Sequence, residues 1–327
     1  MRAAWYEKYG PAREVIQVGE METPEAGEGE VRVRLSASGV NPSDSKGRLG
    51  SRGEMKWPRI VPHSDGAGVI DQVGSGVDSS RMGERVWMFN AQYERPLGTS
   101  AEYVALPADT VVHLPDSVSF AEGACLGIPA MTAHRALFAD GSPEGQTVLV
   151  AGGAGAVGHY AIQLAKWAGA AVITTVSSEE KAKAGREAGA DHIINYRSED
   201  VAACVMEITG GEGVRRVVDV DFGENLPITS EILMNNGTIA AYASMREREP
   251  SMPYYTLMRK NANVRLVFVY TMPDEAKRSA CKDIIRAIEE GKLIHPVGPK
   301  FPLAEAAASH EVIESADYIG NVVIEID

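Results

Sequence analysis

"TVLVAGGAGAVGHYAIQLAKWAGA", residues 147–170, runs from an apolar segment through a cluster of glycines into a helical pattern. "TVLVA" has the length and content of a buried strand, and Ile162, Leu164, Ala165 and Ala168 are the apolar positions of the helix that follows. Gly153-Ala154-Gly155-Ala156-Val157-Gly158 satisfies G-x-G-x-x-G in the one context that gives the pattern meaning, after a strand and at the opening of a helix. One glycine permits the tight turn and another lets the backbone approach a pyrophosphate, while Gly158 lets helix and strand pack closely. The helix N-terminus then presents unpaired N–H groups and partial positive charge to phosphates.

Outward from this stretch the elements alternate. A helix is predicted near 130–139, strands at 147–151, 171–176, 192–195, 215–220 and 237–242, and helices at 157–169, 179–188 and 226–234. Apolar strands alternating with helices predict a parallel sheet covered on both faces. The first 120 residues read differently. "EVRVRLSASGV" (30–40) alternates Val31, Val33 and Leu35 with Arg32, Arg34 and Ser36, and further short strands are predicted at 66–77 and 84–89. Pro42, Pro58, Pro62, Pro107 and Pro115 interrupt long helices, so this part is expected to be a β-rich, barrel-like domain. "SFAEGACLG" places Glu122 three residues after Ser119, the spacing of a capping box where the character changes. The remaining residues are mixed, with a strand "VRLVFVY" (264–270), a helix 274–290 and a closing strand 321–326.

Composition bounds the function. The 327 residues suffice for two domains, and a formal net charge of −13 argues against a nucleic-acid groove or an anionic membrane as the main partner. Cys125, Cys204 and Cys281 share no metal-ligand or redox-pair spacing, and the sparse odd count suits a reducing compartment. No apolar run approaches the roughly 18–20 residues of a membrane span, and the start has no signal-peptide apolar core. A cytoplasmic protein is expected.

The second strand of the alternating region selects the cofactor. A carboxylate that holds the ribose of NAD is expected about 20 residues after the glycines, at that strand's tip. "AVITTV" ends instead in Ser177-Ser178, with Lys181 one helical turn further. Two hydroxyls and an ammonium suit a 2′-phosphate, so NADPH is the expected cofactor. Glu179 and Glu180 belong to the first turn of the next helix, where the macrodipole favours acids.

With these features in place, the sequence resembles the medium-chain dehydrogenase/reductase superfamily, and within it the zinc-free quinone reductase branch that includes zeta-crystallin. The resemblance spans nearly the whole chain through "ASGVNPSD" (37–44), "VPHSDGAGVI" (61–70), "GERVW" (83–87), "ACLGIPAMTAHRAL" (124–137), "GGAGAVGHYAIQLAK" (152–166), "AGADHIINYRSED" (188–200) and "EGKLIHPVGPKFPLAEAAASHEVIES" (290–315). It implies an α/β fold in which a doubly wound Rossmann sheet, residues 124–264, is inserted into a GroES-like β-barrel catalytic domain, residues 1–123 and 265–327. It further implies that Lys181 and Tyr196 grip the 2′-phosphate, that Asn41 and Thr132 face nicotinamide and substrate, and that Tyr242-Ala243-Ser244 lies beside the nicotinamide ring. A homodimer, paired through "VRLVFVY", is expected on the same ground.

Zinc-dependent members use Cys, His and Cys, with an open position for the alcohol. Asn41, Ser64 and Ile128 stand at those positions, and the four-cysteine loop of the structural zinc is missing, so no metal is expected. Without a Lewis acid, hydride transfer to a quinone or an α,β-unsaturated carbonyl is favoured over alcohol oxidation. Zeta-crystallin-type reductases usually carry tyrosine five residues after the Asn41 position; here it is Lys46, as in relatives that reduce enones and alkenals. Lys46 is therefore a candidate donor to the acceptor oxygen, whereas Asp44 and Asp65 read as acids that bind backbone groups. Asn41 also suits plain turn chemistry before Pro42, and His134 and Tyr160 read as packed helix residues. The expected activity is NADPH-dependent quinone reduction. Enone or alkenal reduction is the near alternative, and a non-catalytic NADPH-binding protein is the alternative of another class.

Overall fold

Val31, Val33 and Leu35 of the alternating stretch are buried and Arg34 is exposed, as one covered sheet face requires. The computed structural model describes residues 1–51 and 53–327, which form two units: residues 1–128 with 295–327, and residues 129–294.

The first unit opens with a ribbon of β1 (Arg2–Trp5) and, after α1 (Ala12–Val15), β2 (Gln17–Glu20). β3 (Glu30–Val40) is its hub and leads into α2 (Pro42–Arg48). β4 (Asp65–Val73) pairs antiparallel with β3 and with β5 (Arg85–Met88); β6 (Tyr103–Pro107) pairs with β3, and β7 (Val111–His113) with β5. Ser119 and Glu122 form the predicted capping box at the start of α3 (Phe120–Gly123), with Ser119 N–H donating to the Glu122 carboxylate at 2.8 Å.

The chain enters the second unit within a π-helical turn, Leu126–Ala130, that runs into α4 (Met131–Phe138). β8 (Thr147–Ala151), α5 (Ala156–Trp167), β9 (Ala171–Val176), α6 (Glu179–Glu187), β10 (His192–Asn195), α7 (Val201–Ile208), β11 (Val214–Asp219), α8 (Phe222–Ile232) and β12 (Leu233–Ala241) follow. α9 (Tyr254–Arg259), β13 (Asn263–Leu266) and α10 (Asp274–Glu289) complete the unit. The sheet is parallel throughout, in the order β10-β9-β8-β11-β12-β13. This is the doubly wound order, with its reversal beside β8, and every strand's C-terminus points to one edge. Leu149, Ile173, Val217 and Ile239 of four neighbouring strands are buried in its core.

The first unit is completed by β14 (Val297–Pro302), α11 (Ala306–Ser315) and β15 (Asn321–Glu325), with β15 antiparallel on β3 and β14 parallel on β15. Its core joins Val33, Ile70 and Leu106 to Val322 and Ile324. The fold class agrees with the sequence reading, but the expected borders at 123/124 and 264/265 are corrected to 128/129 and 294/295. The carbonyl of Ala124 lies against Gly39, and the Ile128 N–H bonds to Asp65, which ties 124–128 to the barrel. β13 joins the parallel sheet and α10 packs on α4, so both belong with the nucleotide fold. The predicted strand 264–270 ends at Leu266. In the single chain Leu266 and Phe268 are exposed on the outermost strand and just beyond it, while Val269 and Tyr270 are buried. No helix among the described residues is long and apolar enough to cross a membrane.

Candidate functional site

At the C-terminal edge of the parallel sheet, the glycine loop takes the shape its residues dictate. Gly152, just outside the G-x-G-x-x-G pattern, has φ +74° and makes the turn that the sequence reading assigned to a glycine within the motif. Its N–H donates to Thr175 Oγ1 at 3.2 Å, and Gly153 N–H to the Thr175 carbonyl at 3.2 Å, so β9 anchors the loop. A Cβ on Gly153 would stand 2.1 Å from Thr174 Oγ1, and one on Gly158 2.2 Å from the Gly152 carbonyl. These two positions exclude side chains for packing reasons. Gly155 differs: it is exposed, and its nearest neighbour to a Cβ would be the Gly152 carbonyl at 3.4 Å. The packing of the protein itself makes little demand for glycine there. Ala154 is buried within the loop, and Ala156 and Val157 open α5, in the first turn whose N–H groups have no intrahelical partner.

Ser177, Ser178, Lys181 and Tyr196 gather at the tip of β9. Ser178 caps α6, accepting from Lys181 N–H at 3.3 Å, and Tyr196 N–H donates to the Val176 carbonyl at 3.1 Å. Tyr196 is 43 % exposed, and Glu179 and Glu180 sit in the first turn of α6, with Glu179 engaged by Arg186 at 2.8 Å. No carboxylate ends β9. Tyr242, Ala243 and Ser244 follow β12 at the same edge of the sheet. Tyr242 N–H donates to the Asp219 carbonyl at 3.1 Å, the Ala243 carbonyl accepts from Phe222 N–H at 2.9 Å, and Ser244 Oγ accepts from Gly223 N–H at 3.0 Å. Asp219, which sequence reading missed, ends β11 fully buried; it accepts from Asn225 Nδ2 at 2.7 Å and Asp221 N–H at 3.0 Å. Burial pushes its carboxyl above the ordinary range against those two donors. Its place as the last residue of an apolar strand was the available signal.

In the first unit, Asn41 links β3 to α2 with extended backbone, and its N–H donates to Asp44 Oδ2 at 2.7 Å. Pro42 at the first helical position costs no hydrogen bond. The Asn41 side chain does more than turn: Nδ2 donates to Asp65 Oδ2 at 2.7 Å, and both Asp65 oxygens lie 2.9 Å from the Ile128 N–H. Gly127 is required beside them, since a Cβ would come 2.1 Å from Asp65 Oδ1. Asp65 is fully buried, and desolvation pushes its pKa well up while the Ile128 and Asn41 donors oppose the rise. All three positions at which zinc-dependent members carry their ligands are thereby accounted for. Asn41 and Ile128 are donors to Asp65, and Ser64 is a buried hydroxyl with no hydrogen bond among the described residues. An amide, a hydroxyl and an isoleucine supply no thiolate or imidazole, so this chemistry does not fit zinc. Lys46 is half-buried on α2, and Thr132 is buried on α4 of the second unit. His134, read as packing, is buried but also bonds through Nε2 to Asp283 Oδ2 of α10 at 2.8 Å.

Comparison with known proteins bears on this geometry. Residues 27–116 match the family model for the alcohol dehydrogenase GroES-like domain, and residues 156–289 that for zinc-binding dehydrogenase. A 2-haloacrylate reductase from Burkholderia is 32% identical over 99% of this chain and 98% of its own. A quinone oxidoreductase from Rattus norvegicus is 30% identical over 90% of this chain and 88% of its own. Among solved structures, an NAD-dependent alcohol dehydrogenase superposes with a TM-score of 0.92 at 31% identity, covering 100% of both chains. The Escherichia coli quinone oxidoreductase complexed with NADPH superposes with a TM-score of 0.87 at 27% identity, covering 99% of this chain and 100% of that one.

Proposed function

This chain belongs to the medium-chain dehydrogenase/reductase superfamily, in its quinone oxidoreductase branch, and we propose that it is an NADPH-dependent, zinc-independent reductase of quinones. The observation that carries the proposal is the Asn41–Asp65–Ile128 cluster, which puts a neutral amide where a metal-dependent relative needs a ligand. NADPH, when bound, supplies the hydride. The protein's own residues bind, orient and protect. Gly153 to Gly158 and the first turn of α5 hold the pyrophosphate, and Ser177, Ser178, Lys181 and Tyr196 hold the 2′-phosphate. Tyr242, Ala243 and Ser244 border the nicotinamide. The Glu residues after β9 do not take the place of a ribose-binding acid: both lie in the first turn of α6, past the tip of β9, and Arg186 engages Glu179.

An acceptor reduced without a Lewis acid must spread the arriving charge over its own conjugated oxygen. A quinone does so, and donors placed near that oxygen favour the charge further. Asn41, Lys46 and Thr132 are the candidates for that work. Lys46 and the likeness to a reductase named for 2-haloacrylate favour a second substrate class, α,β-unsaturated carbonyl compounds, on the same scaffold. The exposed outer strand β13 supports a homodimer in which two copies pair along it.

Consumption of NADPH at 340 nm against a naphthoquinone, a benzoquinone, an enone and an alkenal, with NADH and chelator controls, tests the reading. Chelator-insensitive quinone turnover that prefers NADPH is the expected result. Preference for the enone moves the assignment to the second class, where Lys46→Met should slow turnover. Saturable NADPH binding with no turnover of any acceptor would refute catalysis and leave a binding protein.

A further inference from the structure

Beneath Asn41 a chain of buried side chains crosses the barrel. Arg48 Nε donates to His310 Nδ1 at 3.4 Å, and His310 Nε2 lies 2.9 Å from His63 Nε2. His63 Nδ1 lies 2.9 Å from Ser38 Oγ, which lies 2.7 Å from Thr99 Oγ1, and Thr99 donates to the Asp65 carbonyl at 2.5 Å. Arg48, His63, His310, Ser38 and Thr99 are each 0 % exposed. The remaining Arg48 nitrogens engage Glu314 and the Gly10 carbonyl.

Elementary donor counting fixes every proton in this chain. A carbonyl only accepts, so the Thr99 hydroxyl hydrogen goes to Asp65 and the Ser38 hydrogen goes to Thr99. His63 Nδ1 must then carry hydrogen, which leaves Nε2 bare to accept from His310 Nε2–H. His310 Nδ1 is therefore bare, as an acceptor for Arg48 must be, because a guanidinium only donates. Reasoning from either end gives the same two neutral tautomers, opposite in His63 and His310. A proton added to either ring would set two donors face to face. His63 is also held at φ +77°, in the left-handed region, and Thr99, from a distant segment, donates its N–H to the His63 carbonyl at 3.1 Å.

We propose that Arg48, His310, His63, Ser38 and Thr99 form a one-directional hydrogen-bond chain that fixes the Asp65 peptide, and that they are thereby positioning residues for the Asn41 amide. The inference rests on the acceptor-side role given to Asn41 under the proposed function. Displacing a substrate-facing group by about 1 Å can cost on the order of 100-fold in rate.

Long-range proton–nitrogen correlation spectra of histidine-labelled protein at neutral pH read the chain without any substrate. Variants His63→Asn and His310→Asn assign the two rings. His63 should carry hydrogen on Nδ1 and His310 on Nε2; any other pair of tautomers, or a doubly protonated ring, overturns the proposal. Thr99→Val keeps the shape and removes the terminal donor. It should shift the Asn41 side-chain amide resonances and lower kcat on the best acceptor about 10–100-fold, with NADPH affinity within twofold of wild type. Unmoved Asn41 resonances or unchanged kcat would overturn it. If the wild-type protein turns over no quinone or enone, the proposed function fails, and the tautomers and Asn41 resonances still decide whether the chain exists.

Discussion

Acidification should strip stability from the barrel unit in an amount set by its buried imidazoles. Burial alone lowers the His63 pKa from the ordinary 6.5 to about 3. The folded ring therefore stays neutral while the unfolded one protonates, and the unfolded state binds more protons below pH 6.5. The sign follows: the contribution is fully present above pH 6.5 and is lost as pH falls toward 3. Each pH unit in that window is worth about 1.4 kcal/mol for one group, so His63 alone removes about 2 kcal/mol between pH 6.5 and pH 5. His310, lowered by burial, by His63 and by Arg48, acts in the same direction. Urea unfolding followed by tryptophan fluorescence suits the measurement, since Trp5, Trp57 and Trp87 lie in this unit and Trp167 in the other. A loss of about 2 kcal/mol lowers the urea midpoint by roughly 1 M. His63→Gln starts less stable but should show a slope against pH that is shallower by about that amount over the same window. Equal slopes in wild type and variant would refute the argument, whatever their absolute stabilities.

The glycine loop separates a packing requirement from a binding one. Gly153→Ala should cost about 1–3 kcal/mol of stability through Thr174, whereas Gly155→Ala should leave the melting temperature nearly unchanged and weaken NADPH binding at least tenfold by fluorescence titration. Lys181→Ala should raise the NADPH Kd about tenfold and leave the NADH Kd within twofold, as loss of one charge-assisted contact to a 2′-phosphate requires. Asn41→Ala removes a donor from a buried carboxylate and should cost about 1–3 kcal/mol by urea unfolding, together with most of the turnover. In sedimentation velocity, wild type should sediment as the proposed dimer and Leu266→Lys on the outer strand as a monomer; a monomeric wild type, or an unchanged species in the variant, would rule out pairing through β13.

The parallel sheet was legible because its strands are short apolar runs spaced by helices, and the sequence reading set β8, β9 and β10 at the residues where the structure has them. β3 was equally legible, since alternation over 30–40 leaves no helical reading. The borders between units were not, because nothing local marks α10 as a partner of α4 or 124–128 as a partner of β4. Those are tertiary contacts between distant residues. The same reason hid the Asn41–Asp65 bond, whose ends lie 24 positions apart, and the His63–His310 contact, whose ends lie 247 apart. Gly152 escaped notice because the motif directs attention three residues at a time to its neighbours, while φ +74° falls just outside it.

The insertion of one unit into the other orders events on the ribosome. Residues 129–294 form an uninterrupted segment whose sheet contains all its own strands, so it can fold as soon as it has emerged. The barrel cannot: β15 covers residues 37–40 of β3, beyond the stretch that β6 pairs, and α11 brings His310 to His63, yet both are made after the whole nucleotide unit. During that interval residues 37–40 of β3 have an open edge, and His63 Nε2 lacks its His310 partner. Nascent chains arrested before residue 297 should therefore be the species most in need of a chaperone, and a shortened C-terminus should damage the barrel while sparing cofactor binding.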